Sequence, residues 1–342
     1  MAQKTRIAIN GFGRIGKVAF KIAYEFHKNE VEVVAINDLC TTAQAAHVLK
    51  YDSVYRTFPH QVEYGDDYMS VDGVQVKKFT EKDPAQLPWK DLNIDVVLEC
   101  TGVFTNKEGA SKHLTGGAKA VIISAPAKDG DPVGTYVMGV NHMNHDAKKE
   151  PIISNASCTT NCIAPVMQVL EESFGIEKAM MSTIHGYTAD QNLVDGIHKD
   201  PRRARSAGLN TIPTTTGAAI ATALTVPELT GIFDGVAFRV PVPVGSLSDI
   251  TAILKKNATK EEVNDALTKA AGTERYKGIL EVTNDPIVST DIIGRSVSSL
   301  VDLQLTNVVA GNMVKVVAWY DNEYGYSHRL IEQAIKFGQA LQ

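Results

Sequence analysis

The hexapeptide Gly11-Phe12-Gly13-Arg14-Ile15-Gly16 stands between two segments of different period, and few folds accommodate three glycines there. Before it, Thr5 to Asn10 reads as a short strand. After it, Ile15, Val18, Ala19, Ile22, Ala23 and Phe26 recur at the spacing of one buried helix face. Each glycine at such a turn answers a physical need, whether a tight reversal, close backbone approach to a pyrophosphate, or close packing of helix on strand. A second apolar strand, Val31 to Asn37, ends in Asp38, 22 positions after Gly16, where a carboxylate can take the ribose hydroxyls of an adenosine. Together these features predict the opening βαβ unit of a dinucleotide-binding domain.

The same alternation continues. Ile94 to Cys100 is an apolar strand ending in Thr101-Gly102, a helical stretch follows from Asn106 to Leu114, and Ala120 to Ser124 repeats the strand pattern. Strands alternating with helices predict an α/β class and a parallel, doubly wound sheet with its ligand at the carboxyl ends of the strands. Tyr64 to Phe79, with turn signals at Gly65-Asp66-Asp67 and Asp72-Gly73, reads as a small antiparallel excursion. Farther on the character changes. Ala179 to His185, Ile232 to Val242, Ser248 to Lys256 and Asn312 to Tyr320 are longer strands, with helices at Thr259 to Ala271 and Ser327 to Leu341. Thr259 with Glu262 three residues later is a capping box. Long strands with segregated helices predict an α+β domain beside the first.

Between the two regions, Ser157-Cys158-Thr159-Thr160-Asn161-Cys162 runs into a helical pattern carried by Ile163, Val166, Met167, Leu170 and Phe174. Cys158 then falls at a helix N-terminus, where free N–H groups favour an anion, and the expectation is a depressed thiol pKa. His185 follows 27 positions later at a strand end, as a base for that thiol. Both residues have plainer readings, Cys158 as a small buried hydrophobe and His185 as a satisfied core imidazole. The neighbours weigh against those: Thr188 and Arg239, with Thr214-Thr215-Thr216-Gly217, supply hydroxyls and a guanidinium suited to phosphate anions. Cys158 and Cys162 lack further ligands at a recognisable spacing, so no metal is expected.

At 342 residues, 44% hydrophobic and 21% charged, the chain has the makings of two soluble domains. No apolar run reaches membrane-span length, and the start of the sequence reads into a strand rather than a signal-peptide hydrophobic region. Four scattered cysteines fit a reducing, cytoplasmic setting rather than a disulfide framework. A formal charge of −5 speaks against membrane or general nucleic-acid affinity, and the basic stretch Lys199 to Arg205 is the feature a nucleic-acid binder would use.

The chain resembles the phosphorylating glyceraldehyde-3-phosphate dehydrogenase family along nearly its whole length. The resemblance is carried by Ile9-Asn10-Gly11-Phe12-Gly13-Arg14-Ile15-Gly16, by Ala156-Ser157-Cys158-Thr159-Thr160-Asn161-Cys162, and by Trp319-Tyr320-Asp321-Asn322-Glu323-Tyr324-Gly325-Tyr326-Ser327. It implies a Rossmann NAD-binding domain over 1–156, completed by a C-terminal helix at 323–342, and a catalytic α+β domain over 157–322. By motif match, Cys158 is the nucleophile and His185 its base. Asn10, Gly11, Gly13, Arg14, Ile15, Asp38, Thr101, Ser124 and Asn322 fall where the family contacts NAD, with Lys82, in place of the usual arginine, on the adenine side. Thr188 and Arg239 match the site for the substrate's phosphate. Ser157, Thr159, Thr216 and Gly217 match the site for inorganic phosphate, and Arg203 sits near both. The implied reaction takes glyceraldehyde 3-phosphate and inorganic phosphate to 1,3-bisphosphoglycerate through a cysteine thioester, in a homotetramer. Gly186 and Ala189 depart from the serine and asparagine usual after the histidine. Two other readings remain at this point: erythrose-4-phosphate dehydrogenase, which lacks a matching Thr-Gly pair, and a nucleotide-responsive binding protein that kept the fold.

Overall fold

A run such as Ile7-Ala8-Ile9 offers no polar face to solvent, so its strand needs cover on both sides. The computed structural model, which describes residues 3–128 and 130–342, buries all three completely. The chain divides into two compact units. The first takes the chain through Tyr136, Met143–Ala156 and Ser327–Gln342; the second takes Val137–His142 and Ser157–Tyr326.

The first unit holds β1 (Thr5–Asn10), α1 (Arg14–Phe26), β2 (Val31–Asn37), α2 (Thr42–Lys50), β3 (Val62–Tyr64), β4 (Tyr68–Val71), β5 (Val74–Phe79), β6 (Val96–Glu99), α3 (Lys107–Thr115), β7 (Ala120–Ile123), β8 (Gly134–Thr135) and β9 (Ile152–Ser154). Its sheet runs β3-β4-β5-β2-β1-β6-β7-β9-β8. From β5 to β8 every pairing is parallel. The chain winds one way from β1 to β2 and the other way from β6 to β7, so the order reverses between β1 and β6. A crevice opens outside the carboxyl ends at such a switch point, and here Gly11 follows β1 while Thr101 follows β6. The excursion expected over residues 64–79 is antiparallel throughout, β3 with β4 and β4 with β5, and the other edge of β5 joins it to β2 in parallel. Helix α2 carries a complete capping box between Thr41 and Gln44, a local signal that the hydrophobic pattern alone does not display.

The second unit holds α4 (Cys158–Phe174), β10 (Ile176–Gly186), β11 (Ile212–Thr215), α5 (Ala218–Thr225), β12 (Phe233–Val240), β13 (Ser246–Leu254), α6 (Lys260–Ala271), β14 (Leu280–Thr283), β15 (Ser299–Asp302), β16 (Asn307–Val309) and β17 (Met313–Tyr320). Its mixed sheet runs β11-β12-β10-β13-β17-β15-β14, with β16 paired to β17. Residues along β13 alternate between buried and half-buried, as expected for a strand with one covered face. The cover is α4, whose Cys162, Ile163, Val166, Met167 and Leu170 join Ile250, Val316 and Ala318 in one core. That packing fixes α4 and so fixes Cys158 at its first turn. The last helix, α7 (Tyr324–Ala340), belongs to the first unit from Ser327 onward.

Candidate active site

In the first unit the glycines shape the crevice. Gly11 has φ +92°, and a Cβ on it would stand 2.7 Å from the carbonyl carbon of Cys100. A Cβ on Gly16 would fall 2.0 Å from the Gly11 carbonyl oxygen, so α1 could not pack where it does. A Cβ on Gly13 would meet nothing within 4 Å, which leaves a bare backbone at the start of α1 for a ligand to approach. The resulting groove encloses about 400 Å³ and is lined by Asn10, Gly11, Gly13, Asp38, Lys82 and Thr101, among others.

Asp38 is aimed by backbone donors: its Oδ2 accepts from Phe12 N–H at 2.7 Å and its Oδ1 from Cys40 N–H at 3.0 Å. Burial alone would raise this carboxyl. Those two N–H groups, with the Lys78 charge, bring it below the usual carboxylate range, so it is an ionised acceptor. Behind the groove lies a buried network that motif reading does not find. Glu99 accepts from Asn10 Nδ2 at 2.6 Å and from Thr101 N–H at 2.8 Å, and the Thr101 hydroxyl also donates to it. Its Oε2 lies 3.0 Å from His113 Nε2, while His113 Nδ1 accepts from Trp89 Nε1–H at 3.0 Å. Because Nδ1 is the acceptor, Nε2 carries the proton and donates to Glu99. One carboxylate thus orients two groove residues. The visible clue is a glutamate ending the apolar run Val96-Val97-Leu98.

Not every residue assigned to the cofactor lines this groove. Arg14 pairs with Asp52 at 2.7 Å, Ile15 is half-buried in the first turn of α1, and Ser124 bonds the Glu99 carbonyl through its N–H at 3.0 Å. Asn322 belongs to the second unit, where its Oδ1 accepts from Gly245 N–H at 3.2 Å and from the Ser246 hydroxyl at 2.9 Å.

In the second unit, Ser157 caps α4 by accepting from Thr160 N–H at 3.0 Å, which makes Cys158 the first helical residue. Its Sγ lies 3.4 Å from His185 Nε2. Parallel pairing of β10 with β12 sets His185 opposite Arg239, and the Arg239 guanidinium contacts His185 Nδ1 and donates to the Gly186 carbonyl at 3.1 Å. This corrects the expectation of a depressed thiol pKa. Burial pushes the Cys158 thiol above its ordinary value, and the Arg239 charge and the donors at the start of α4 offset only part of that rise. Burial and the Arg239 charge also push His185 down to about 3. The pair therefore rests as neutral thiol and neutral imidazole.

Tyr320 is a further site residue that sequence reading passes over. Its buried hydroxyl lies 2.9 Å from Thr159 Oγ1 and 2.8 Å from Thr183 Oγ1, and its ring meets His185 edge-on at 5.9 Å. The Thr159 hydroxyl is thus engaged within the core. Thr188 and Arg203 are brought together by Asp190, whose carboxylate accepts from both, and Arg203 Nε also donates to Thr214 Oγ1 at 2.9 Å. Thr216 and Gly217 open α5, with the Thr216 hydroxyl accepting from Ala218 N–H at 3.2 Å.

A switch-point groove built for a dinucleotide, in one chain with a thiol, an imidazole and a guanidinium in contact, defines a nicotinamide-dependent dehydrogenase. Residues 5–107 match the family model described as glyceraldehyde 3-phosphate dehydrogenase, NAD binding domain, and residues 157–322 match its C-terminal domain. Among curated proteins, the glyceraldehyde-3-phosphate dehydrogenase of Thermotoga maritima is 54% identical over 96% of this chain and 97% of its own length. That of Streptomyces coelicolor is 51% identical over 98% and 99%, and that of Geobacillus stearothermophilus 51% over 96% and 97%. The chain belongs to the glyceraldehyde 3-phosphate dehydrogenase family, and its dinucleotide is NAD.

Proposed function

We propose that this enzyme oxidises glyceraldehyde 3-phosphate in the presence of inorganic phosphate to 1,3-bisphosphoglycerate, through a thioester on Cys158. The observation that carries this reading is the 3.4 Å approach of Cys158 Sγ to His185 Nε2, beside the Arg239 guanidinium. A neutral thiol is a weak nucleophile until a base removes its proton. His185 can do so from Nε2 in the tautomer whose Nδ1–H donates to the Gly186 carbonyl, 2.7 Å away, which requires the Arg239 guanidinium, a donor that contacts Nδ1 in this structure, to turn onto another acceptor such as the substrate's phosphate. Arg239 opposes that protonation by its charge. A substrate phosphate bound at Arg239 would offset the charge and make His185 more basic when the aldehyde is in place. The imidazolium so formed and the Cys158 N–H at the start of α4 are the donors for the developing oxyanion, where one donor is typically worth about a hundred- to thousandfold in rate. NAD, when bound, supplies the hydride acceptor. Ser157 beside the sulfur, with Thr216 and Gly217 at the start of α5, are the groups we assign to attacking phosphate, which Thr159 would join only by releasing its hydroxyl from Tyr320, and Thr188 with Arg239 those for the substrate's own.

A homotetramer is part of this proposal. Leu193, Val194, Ile197 and Leu209 are 72–103% exposed along one stretch of chain, apolar area that a second copy would cover. We place the enzyme in the cytoplasm, where its four free thiols would stay reduced; among the described residues no helix is long and apolar enough to cross a membrane. The deciding experiment follows reduced-nicotinamide absorbance on mixing enzyme, aldehyde and NAD with and without phosphate. Without phosphate the expected result is one equivalent of reduced cofactor per active site followed by a slow hydrolytic drain; with phosphate, sustained turnover. Equal steady-state rates, with preference for a four-carbon aldehyde, would assign the chain to the erythrose-4-phosphate reaction instead. Light scattering on the purified protein tests the tetramer.

A further inference from the structure

The two helices α1 and α7 bring three metal-ligating side chains to one point in the first unit. His27 caps α1, with its N–H on the Ala23 carbonyl at 3.2 Å. His328 and Glu332 stand four residues apart on α7, a spacing that puts both on one helix face. One ligand atom from each of the three lies within 4.8 Å of the others. His328 is buried, whereas His27 and Glu332 are half-buried, so the cluster opens to solvent on one side.

Two surrounding contacts suit a ligand set. Glu30 Oε2 lies 2.8 Å from His27 Nδ1. A carboxylate can only accept, so Nδ1 carries the proton and Nε2 of the neutral ring keeps its lone pair. A carboxylate behind an imidazole is the outer partner that orients most metal-bound histidines. Arg329 Nη2 holds Glu332 Oε1 at 2.5 Å, which leaves the second carboxylate oxygen for another partner. We propose that His27, His328 and Glu332 form a site for a divalent zinc-class cation that ties the end of α1 to α7. The donor set decides the class: two imidazoles and one carboxylate suit Zn²⁺, Co²⁺ or Ni²⁺, whereas Mg²⁺ and Ca²⁺ prefer oxygen ligands throughout. Tetrahedral ligands about 2.1 Å from an ion stand roughly 3.4 Å apart, so closure asks for side-chain rotation of about an ångström. Water takes the fourth position on the open side. Glu332 and Glu30 bring negative charge to the cluster, against Arg329 bonded to Glu332 and the nearby charge of Lys336. Sequence spacing hides the site because its ligands come from opposite ends of the chain.

The test uses the full chain carrying Cys158→Ser, so that the reactive thiol does not take the metal. Titration with Co²⁺ should give one saturable equivalent with visible d–d absorption and no thiolate charge-transfer band. His27→Gln and His328→Asn should each abolish that spectrum, and Glu30→Gln should weaken binding about 10–100-fold. His27→Gln is the decisive variant if His328→Asn fails to fold, because His27 is half-buried at a helix end. With Cys158 restored and no metal added, it should retain full dehydrogenase activity, and in the Cys158→Ser background it should lose the rise in Tm that Zn²⁺ gives. No saturable Co²⁺ binding up to millimolar metal, or binding that His27→Gln retains, overturns the proposal.

Discussion

Cys162 lies one helical turn beyond Cys158 and is its internal control. Its Sγ is enclosed 3.8 Å from the Ser299 hydroxyl and the Ala318 carbonyl, and burial pushes its thiol up to about 12, as it does for Cys100. Alkylation at neutral pH followed by peptide mapping should therefore label Cys158. Because its pKa is raised in the protein alone, the labelling rate should keep climbing through the ordinary thiol range. Label reaching Cys162 first, or a plateau at acid pH of the kind a thiolate–imidazolium pair gives, would refute the neutral-pair description. His185 makes a second claim with a definite sign. Its pKa of about 3 in the fold is below the ordinary 6.5, so the unfolded chain takes the proton first and stability falls as pH drops from 6.5 towards 3. Urea midpoints should fall less steeply over that window in His185→Asn than in the parent; parallel slopes would exclude His185 as a contributor. Asp38 carries a third prediction, on coenzyme choice. A 2′-phosphate beside it would set two anions together, costing about 4 kcal/mol for unit charges 4 Å apart at an effective dielectric near 20, less after solvent screening. The neighbouring Leu39 offers no cation in compensation. Catalytic efficiency should favour NAD over NADP, and Asp38→Ala should narrow the gap chiefly by weakening NAD. Equal efficiencies in the parent would remove Asp38 from control.

Elements became legible to the extent that their determinants are local. The β1–glycine–α1 turn could be read because glycine geometry and a change of hydrophobic period sit within one short stretch, and Cys158 could be put at a helix start because Ser157 caps its own helix. The α6 capping box at Thr259 and Glu262 was equally visible. What escaped depends on distant partners. Residues 74–79 do form half of a hairpin with β4, but the parallel pairing of the other edge of β5 with β2, across the intervening chain, has no local signal. Helix position alone argues for a stabilised thiolate, but the packing that half-buries Cys158 and buries His185 reverses the balance. The role of Glu99 requires Asn10, Thr101 and His113 to be in place around the end of β6. Glu99→Gln tests that element. The amide keeps the size of the carboxylate but provides one acceptor oxygen where two served four donors, so buried donors go unmet. Loss of about 1–3 kcal/mol in stability is expected, with weaker NAD binding by fluorescence titration and a KM for NAD raised more than kcat falls. Unchanged NAD affinity would reduce Glu99 to a core residue with no hold on the groove.

At the scale of the molecule, the first unit is closed by the last segment of the chain. The Thr5 hydroxyl on β1 donates to the Ile335 carbonyl on α7 at 3.4 Å, and a Cβ on Gly338 would stand only 2.1 Å from Thr5 Cγ2. Leu330, Ile331, Ala334 and Phe337 are buried on that helix, and the Phe337 ring meets His145 edge-on at 4.4 Å. The family-model matches end at residue 322, so this helix lies outside both. A fragment of residues 1–156 would carry the whole groove yet lack the apolar cover that α7 provides, and exposed core surface of that kind favours association over folding. The expectation is that the fragment alone shows non-cooperative unfolding and weak NAD binding, and that joining residues 323–342 to it through a flexible linker restores both. Within the intact chain, Phe337→Ala should cost about 3–5 kcal/mol by leaving a cavity against His145. Gly338→Leu should destabilise by collision with Thr5, a loss that Thr5→Ala should partly relieve because it removes the two atoms nearest the new Cβ. Cooperative unfolding of residues 1–156 alone, with NAD affinity equal to that of the full chain, would show that α7 is dispensable and that the first unit folds without its final helix.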